Sequence, residues 1–148
     1  MNYVFDTNII LKFLRDNEFK NELEEQFNMS SPENTNLISI VSVGELKALS
    51  LKNNWGRKRN QLLDDALEDF IIIEIRYTEM AIKYAEIDAF SQSKLKDKPL
   101  KMSSRNMGKN DLWIAATASL ADARLITFDQ DFEHLHQVYF ELILMSNR

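Results

Sequence analysis

Four acidic residues stand at the junctions of this chain, where their chemistry matters more than their number. Asp6 interrupts the apolar run Y-V-F-D-T-N-I-I, Glu45 lies in S-V-G-E-L, Asp111 in N-D-L-W-I-A-A, and Asp129 in L-I-T-F-D-Q-D-F, with Asp131 two residues on. Singly, each has an ordinary role. Asp6 can cap a helix beginning at Thr7, and Glu45 can close a capping box on Ser42. Asp111 suits a helix N-terminus, and Asp129 and Asp131 suit a turn. Together they form an all-oxygen donor set. Converging carboxylates repel one another and raise one another's pKa values unless a cation separates them. Mg²⁺ and Mn²⁺ are the cations that prefer such ligands. A cation so held acidifies a bound water and neutralises charge on a phosphate. The chain has no cysteine, and its two histidines, His134 and His136, read as surface residues near a short helix, so the usual zinc site is not expected.

The elements that would position these acids follow from periodicity. Tyr3–Phe5 reads as a strand, followed by helices over 7–15 and 18–27 and a loop over 30–36. Leu37–Val41 reads as a second strand, with Ser42 capping a helix to Lys52. A helix over 58–69, a strand over 70–75 and a helix over 78–91 come next, the last with Ala81, Ile82, Ala85 and Phe90 inward. Residues 93–109 are polar, basic and aperiodic, and read as a long loop. A helix over 111–121, a strand over 124–127, a helical turn and a strand over 139–144 complete the chain. Strands alternating with helices imply an α/β fold, a mostly parallel sheet between two helical layers. In such a sheet the ligand site lies beyond the carboxyl ends of the strands. Asp6, Ser42 with Glu45, and Asp129 all follow strands, and Asp111 opens the helix before the strand at 124–127.

The bulk properties bound this reading. A length of 148 residues fits one domain over 1–148. An apolar fraction of 45% with 3 Gly and 2 Pro excludes a disordered chain. No apolar run approaches the roughly 20 residues that span a bilayer, and no leader is visible, so a cytoplasmic protein without membrane association is expected. The net charge of −5 argues against a nucleic-acid partner at first sight. Setting aside the four acids leaves −1, and the basic residues cluster. Lys94, Lys96, Lys98, Lys101, Arg105 and Lys109 share the long loop leading to Asp111, placed to contact phosphates. Lys52, Arg57, Lys58 and Arg59 surround Trp55, which could stack on a base but reads better as part of an ordinary helix start. Trp113 reads as core. Leu46, Leu49, Phe13 and Leu14 fit either the core or a partner face.

The segments V-F-D-T-N, S-V-G-E-L, N-D-L-W-I-A-A-T-A and L-I-T-F-D-Q-D-F, in that order, resemble the four acidic motifs of the PIN-domain ribonucleases. Spacing and length are most similar to the VapC-type toxins of bacterial toxin–antitoxin pairs. The resemblance implies a metal-dependent endoribonuclease that cleaves RNA, transfer RNA by analogy, through a metal-activated water. It implies that Asp6, Glu45, Asp111 and Asp129 hold one or two Mg²⁺ or Mn²⁺ ions. Thr7 or Asn8 would orient Asp6 or hold a metal-bound water, and Thr127 matches the family's hydroxyl before the last acid. Asp131 matches an acid found in part of the family. A small antitoxin inserting a segment into the active-site groove, and a homodimer, are implied as well. The alternative is a non-catalytic PIN-fold module that binds RNA or protein. An Asp6 phosphatase is disfavoured, because Asn8 stands where a dehalogenase-type arrangement needs a second Asp. A nucleotide triphosphatase is disfavoured by the lack of a glycine-rich phosphate loop.

Overall fold

A computed structural model describes residues 1–147. Among these residues five strands form one sheet in the order β3-β2-β1-β4-β5: β1 (Asn2–Phe5), β2 (Thr35–Ser39), β3 (Ile71–Ile73), β4 (Arg124–Thr127) and β5 (Leu142–Leu144). Every pairing in it is parallel. The helices are α1 (Thr7–Arg15), α2 (Asn17–Gln26), α3 (Ile40–Lys52), α4 (Arg57–Leu67), α5 (Thr78–Ser91) and α6 (Lys109–Leu120), with a 3-10 turn at Gln130–Leu135. None is long and apolar enough to cross a membrane.

Strand alternation distributes the core into two layers. Phe5, Ile38 and Ile126 point to one face, where they meet Ile9, Phe13, Leu23, Leu46 and Leu63 from α1 to α4. Val4, Leu37 and Leu125 point to the other, against Ile87, Phe90, Leu112 and Ala115 from α5 and α6. The alanines of α6 (Ala115, Ala116 and Ala118) are fully buried, which lets that helix lie close to the sheet. The result is the expected α/β/α sandwich.

Several boundaries differ from expectation. β2 spans Thr35–Ser39 rather than 37–41, and α3 begins at Ile40. Ser39, not Ser42, is the cap: its Oγ accepts from the Val41 amide at 3.1 Å. The β-branched Ile40 and Val41 read locally as strand, but the Ser39 cap lets them enter the first turn of the helix. The 58–69 helix spans Arg57–Leu67, the 70–75 strand shrinks to Ile71–Ile73, and the 139–144 strand to Leu142–Leu144. On α5 the buried face is Met80, Ile87, Phe90 and Ser91, whereas Ala81, Ile82 and Ala85 face outward. Of the stripe expected inward, Phe90 is buried as expected, and the other three lie on the surface.

Candidate active site

Parallel topology brings the acids to one edge. β1 and β4 are neighbours in register, Phe5 beside Ile126, and the chain leaves them toward opposite sides of the sheet. That makes the gap beyond their carboxyl ends the topological switch point. The residue after β1 is Asp6, held by its amide to the Ile126 carbonyl at 3.0 Å. The residue is nearly inaccessible, at 5% exposure. Oδ1 accepts from the Thr7 amide at 2.7 Å, which caps α1, and Oδ2 accepts from the Thr127 hydroxyl at 2.6 Å.

Thr127 is the hub of this edge. Its hydroxyl donates to Asp6 and accepts from the Asp129 amide at 2.9 Å and from Asn8 Nδ2 at 3.4 Å. One hydrogen and two lone pairs are thereby used, so the group has a single orientation. It locks the end of β1 to the turn after β4. Thr7 does the same for α3. Its Oγ1 lies 2.7 Å from Glu45 Oε1 and 2.9 Å from Ser42 Oγ. The carboxylate only accepts, so Thr7 gives it the hydrogen and receives one from Ser42. Ser42 is fully buried and serves this contact instead of the cap assigned to it by sequence. Starting α3 at Ile40 is what turns Ser42 and Glu45 toward Thr7.

Electrostatics ties in the remaining acids. Burial pushes the Asp6 carboxyl up to about 6; hydrogen bonds from Thr127 and Thr7 oppose the rise, and the charges of Glu45 and Asp129 add to it. Asp111, in the first turn of α6, is pushed up to about 7 by burial and then by Asp6, Asp129, Glu45 and Asp131. Acids from four separate elements thus feel one another's charge. Among the described residues, no three of them are already arranged to hold a metal ion. Asp129 also caps the 3-10 turn by accepting from the Asp131 amide at 2.8 Å, so Asp131 bonds to this edge through its backbone.

The other residues singled out by sequence divide. Asn8 touches Thr127 and the Phe128 amide, not Asp6. Lys94, Lys96 and Lys101 are exposed in the loop, and Lys109, expected there too, is exposed but opens α6. Arg105 instead donates to the Gln130 carbonyl at 2.8 Å, and Lys98 pairs with Glu86 and lies over the Tyr139 ring at 4.4 Å. Trp55 is 9% exposed with Arg59 over its ring, so it is not available for base stacking. His134 is not a surface residue. It is 4% exposed, with Nε2 2.7 Å from Ser91 Oγ, because the 3-10 turn packs its inner side against α5. His136 is exposed, as expected. Trp113 packs on Tyr84, with ring centroids 4.2 Å apart. Phe13 and Leu46 are core, while Leu49 is half-buried. Sequence reasoning passed over Gly44 and Asn110, which line a groove beside Glu45 together with Lys52. Only tertiary placement distinguishes them from ordinary helix residues.

Comparison with known proteins agrees with this geometry. The PIN domain family profile matches residues 3–137. No curated protein matches the chain by sequence. Among solved structures, the chain is similar to a chain of VapBC2 from Rickettsia felis bound to a DNA fragment from their promoter. The identity is 24%, the coverage 99% of this chain and 100% of that one, and the TM-score 0.75. VapBC-1 from nontypeable Haemophilus influenzae is similar at 21% identity, with 97% and 98% coverage and a TM-score of 0.73. A toxin–antitoxin complex from Klebsiella pneumoniae is similar at 28% identity, with 88% and 89% coverage and a TM-score of 0.60. With four acids at the carboxyl edge of a parallel sheet and a family profile spanning nearly all of its length, the chain belongs to the PIN-domain family.

Proposed function

We propose that this chain is a Mg²⁺- or Mn²⁺-dependent endoribonuclease, the toxin of a VapBC-type pair. The observation that carries it is the convergence of Asp6, Glu45, Asp111 and Asp129 from four elements, two of them held at raised pKa. Crowded carboxylates of that kind fit a hard divalent cation, and the neighbourhood offers it oxygen donors without sulfur. Asp6, Glu45, Asp111 and Asp129 would hold it. When bound, the cation neutralises charge on a phosphodiester and acidifies water into a nucleophile. The protein's part is preorganisation: Thr127 and the Thr7 amide fix Asp6, and the Thr7 hydroxyl, backed by Ser42, fixes Glu45. Asn8 steadies Thr127, and Asp131 adds negative charge at the rim. Lys94, Lys96, Lys101 and Lys109 are the groups assigned to RNA phosphates. Arg105 and Lys98, engaged within the fold, are left out of that assignment.

The whole chain acts as one PIN-like unit in the cytoplasm. A small antitoxin is its inhibitor, in keeping with structural neighbours that are toxin–antitoxin complexes, some bound to DNA. Expression in a bacterial host, wild type beside Asp6→Asn, with sequencing of cleaved RNA ends, tests the activity. Growth arrest and discrete cuts with wild type alone are expected; equal cutting by Asp6→Asn would refute it. A second reading, a non-catalytic RNA- or protein-binding module, draws on no three of the acids among the described residues being already arranged to hold a metal ion. Calorimetry with Mn²⁺ separates the two, since only the nuclease requires binding that Asp6→Asn removes.

A further inference from the structure

Beside the acidic edge runs a groove with a volume of about 530 Å³, within the usual range for ligand pockets. One face of α3 forms its wall. Val41, Gly44, Glu45, Ala48, Leu49 and Lys52 recur there at helical spacing. Thr7, bonded to Glu45, and Asn110, next to Asp111, complete the lining.

This face departs from an ordinary solvated helix side in three ways. Gly44 sits in the helix interior, at a cost of about 1 kcal/mol relative to Ala. No close packing demands it, because a Cβ there would meet nothing within 4 Å. What glycine leaves at that point is the open width of the groove, continued by the small Ala48 and floored by half-buried Leu49. Lys52 lies two turns from Glu45, roughly 10 Å along the axis. Its ammonium makes no ion pair among the described residues, and neither does the Asn110 amide make a side-chain hydrogen bond. The groove therefore has Glu45 and an uncommitted amide toward the acidic edge, an uncommitted cation two turns away, and a narrow apolar floor between.

We propose that this groove is the subsite for one unpaired nucleotide of single-stranded RNA, adjoining the phosphate to be cut. The base or sugar lies on Ala48 and Leu49 in the width left by Gly44. Asn110 reads a polar base edge, as amides do, and Lys52 holds the next phosphate. Lysine and amide together favour a nucleotide over a peptide, whose backbone groups would find few partners on a helix face. The position of the cut rests on the nuclease reading; nucleotide binding itself does not.

Gly44→Leu fills the groove without touching an acid, and leucine is the better helix former, so the variant folds. Its thermal shift with Mn²⁺ should equal that of wild type, while kcat/KM on RNA falls tenfold or more. In wild type, the 5′-monophosphates AMP, GMP, CMP and UMP should perturb the amide resonances of Gly44 and Ala48, and in Gly44→Leu the corresponding perturbations should vanish. Lys52→Glu should raise KM severalfold and reduce the salt slope of binding by about one. Asn110→Ala should change the base preferred beside the cut. A Gly44→Leu variant that keeps the Mn²⁺ shift and cuts at the wild-type rate overturns the subsite; if it also escapes antitoxin inhibition, the groove belongs to a peptide. If wild type cuts no RNA, the nuclease reading fails by itself. The monophosphate titration then still decides the groove, and absence of any perturbation there overturns it.

Discussion

Asp6 answers two demands with one carboxylate. It caps α1, as its sequence context allows, and it sits at the centre of the acidic edge. The raised pKa values give the sign of a testable effect. A carboxyl whose folded pKa lies above its ordinary value stabilises the fold while protonated and loses that contribution as pH rises. For Asp6 and Asp111 the loss runs from near the ordinary 3.8 to about 6 and about 7. At pH 7.5 without metal, Asp111→Asn should therefore raise stability, on the order of 1 kcal/mol after allowing for solvent screening. The gain should shrink as pH falls toward 4. Melting curves of both proteins across that range check it. With Mn²⁺ the order should reverse, since the cation binds the ionised form. Thr127→Val, nearly isosteric, leaves Asp6 Oδ2 and the Asp129 amide without their partner. It should weaken Mn²⁺ binding roughly 10- to 100-fold, measured by calorimetry.

At the scale of elements, α3 decides whether Glu45 belongs to the site. The pattern S-x-x-E beginning at Ser42 matches a capping box, yet the helix starts three residues earlier. Ser39→Ala should cost about 1 kcal/mol in urea melts through loss of the cap. Ser42→Ala should leave helix capping intact and instead loosen the Thr7–Glu45 contact, read as weaker Mn²⁺ binding. The reverse result would return the cap to Ser42. The 3-10 turn after β4 is the other positioning element. Arg105 ties the basic loop to Gln130, and His134 ties the turn to Ser91 of α5. Two residues whose types suggest solvent or phosphate are thereby spent on holding Asp129 and its turn.

At the scale of the whole molecule, the β3 edge of the sheet carries exposed apolar side chains. On β3, Ile71 and Ile72 are 56% and 40% exposed, and Tyr77 just before α5 and Ile82 on it are 65% and 62% exposed. An unpaired apolar strand edge is a liability unless something covers it. A second copy of the chain is the occupant that fits the homodimer implied by the family resemblance. Light scattering should then give a dimer at tens of micromolar for wild type and a monomer for Ile82→Glu. A wild-type monomer would refute the dimer, and an unchanged Ile82→Glu dimer would move its interface elsewhere.

The sequence by itself determined the class of the fold and the order of its motifs. Strand–helix alternation dictates a parallel sheet, and hydrophobic period two or 3.6 is a local property that a linear reading recovers. The Asp6, Asp111 and Asp129 motifs were legible for the same reason, each tied to an element boundary. What only the tertiary structure decided were the choices between locally equal options. Ser39 or Ser42 as cap, the inward face of α5, a buried or exposed His134, and a free or committed Arg105 all turn on contacts between residues far apart in the chain. Such contacts form only when the sheet order places β1 beside β4, and no local pattern carries that order.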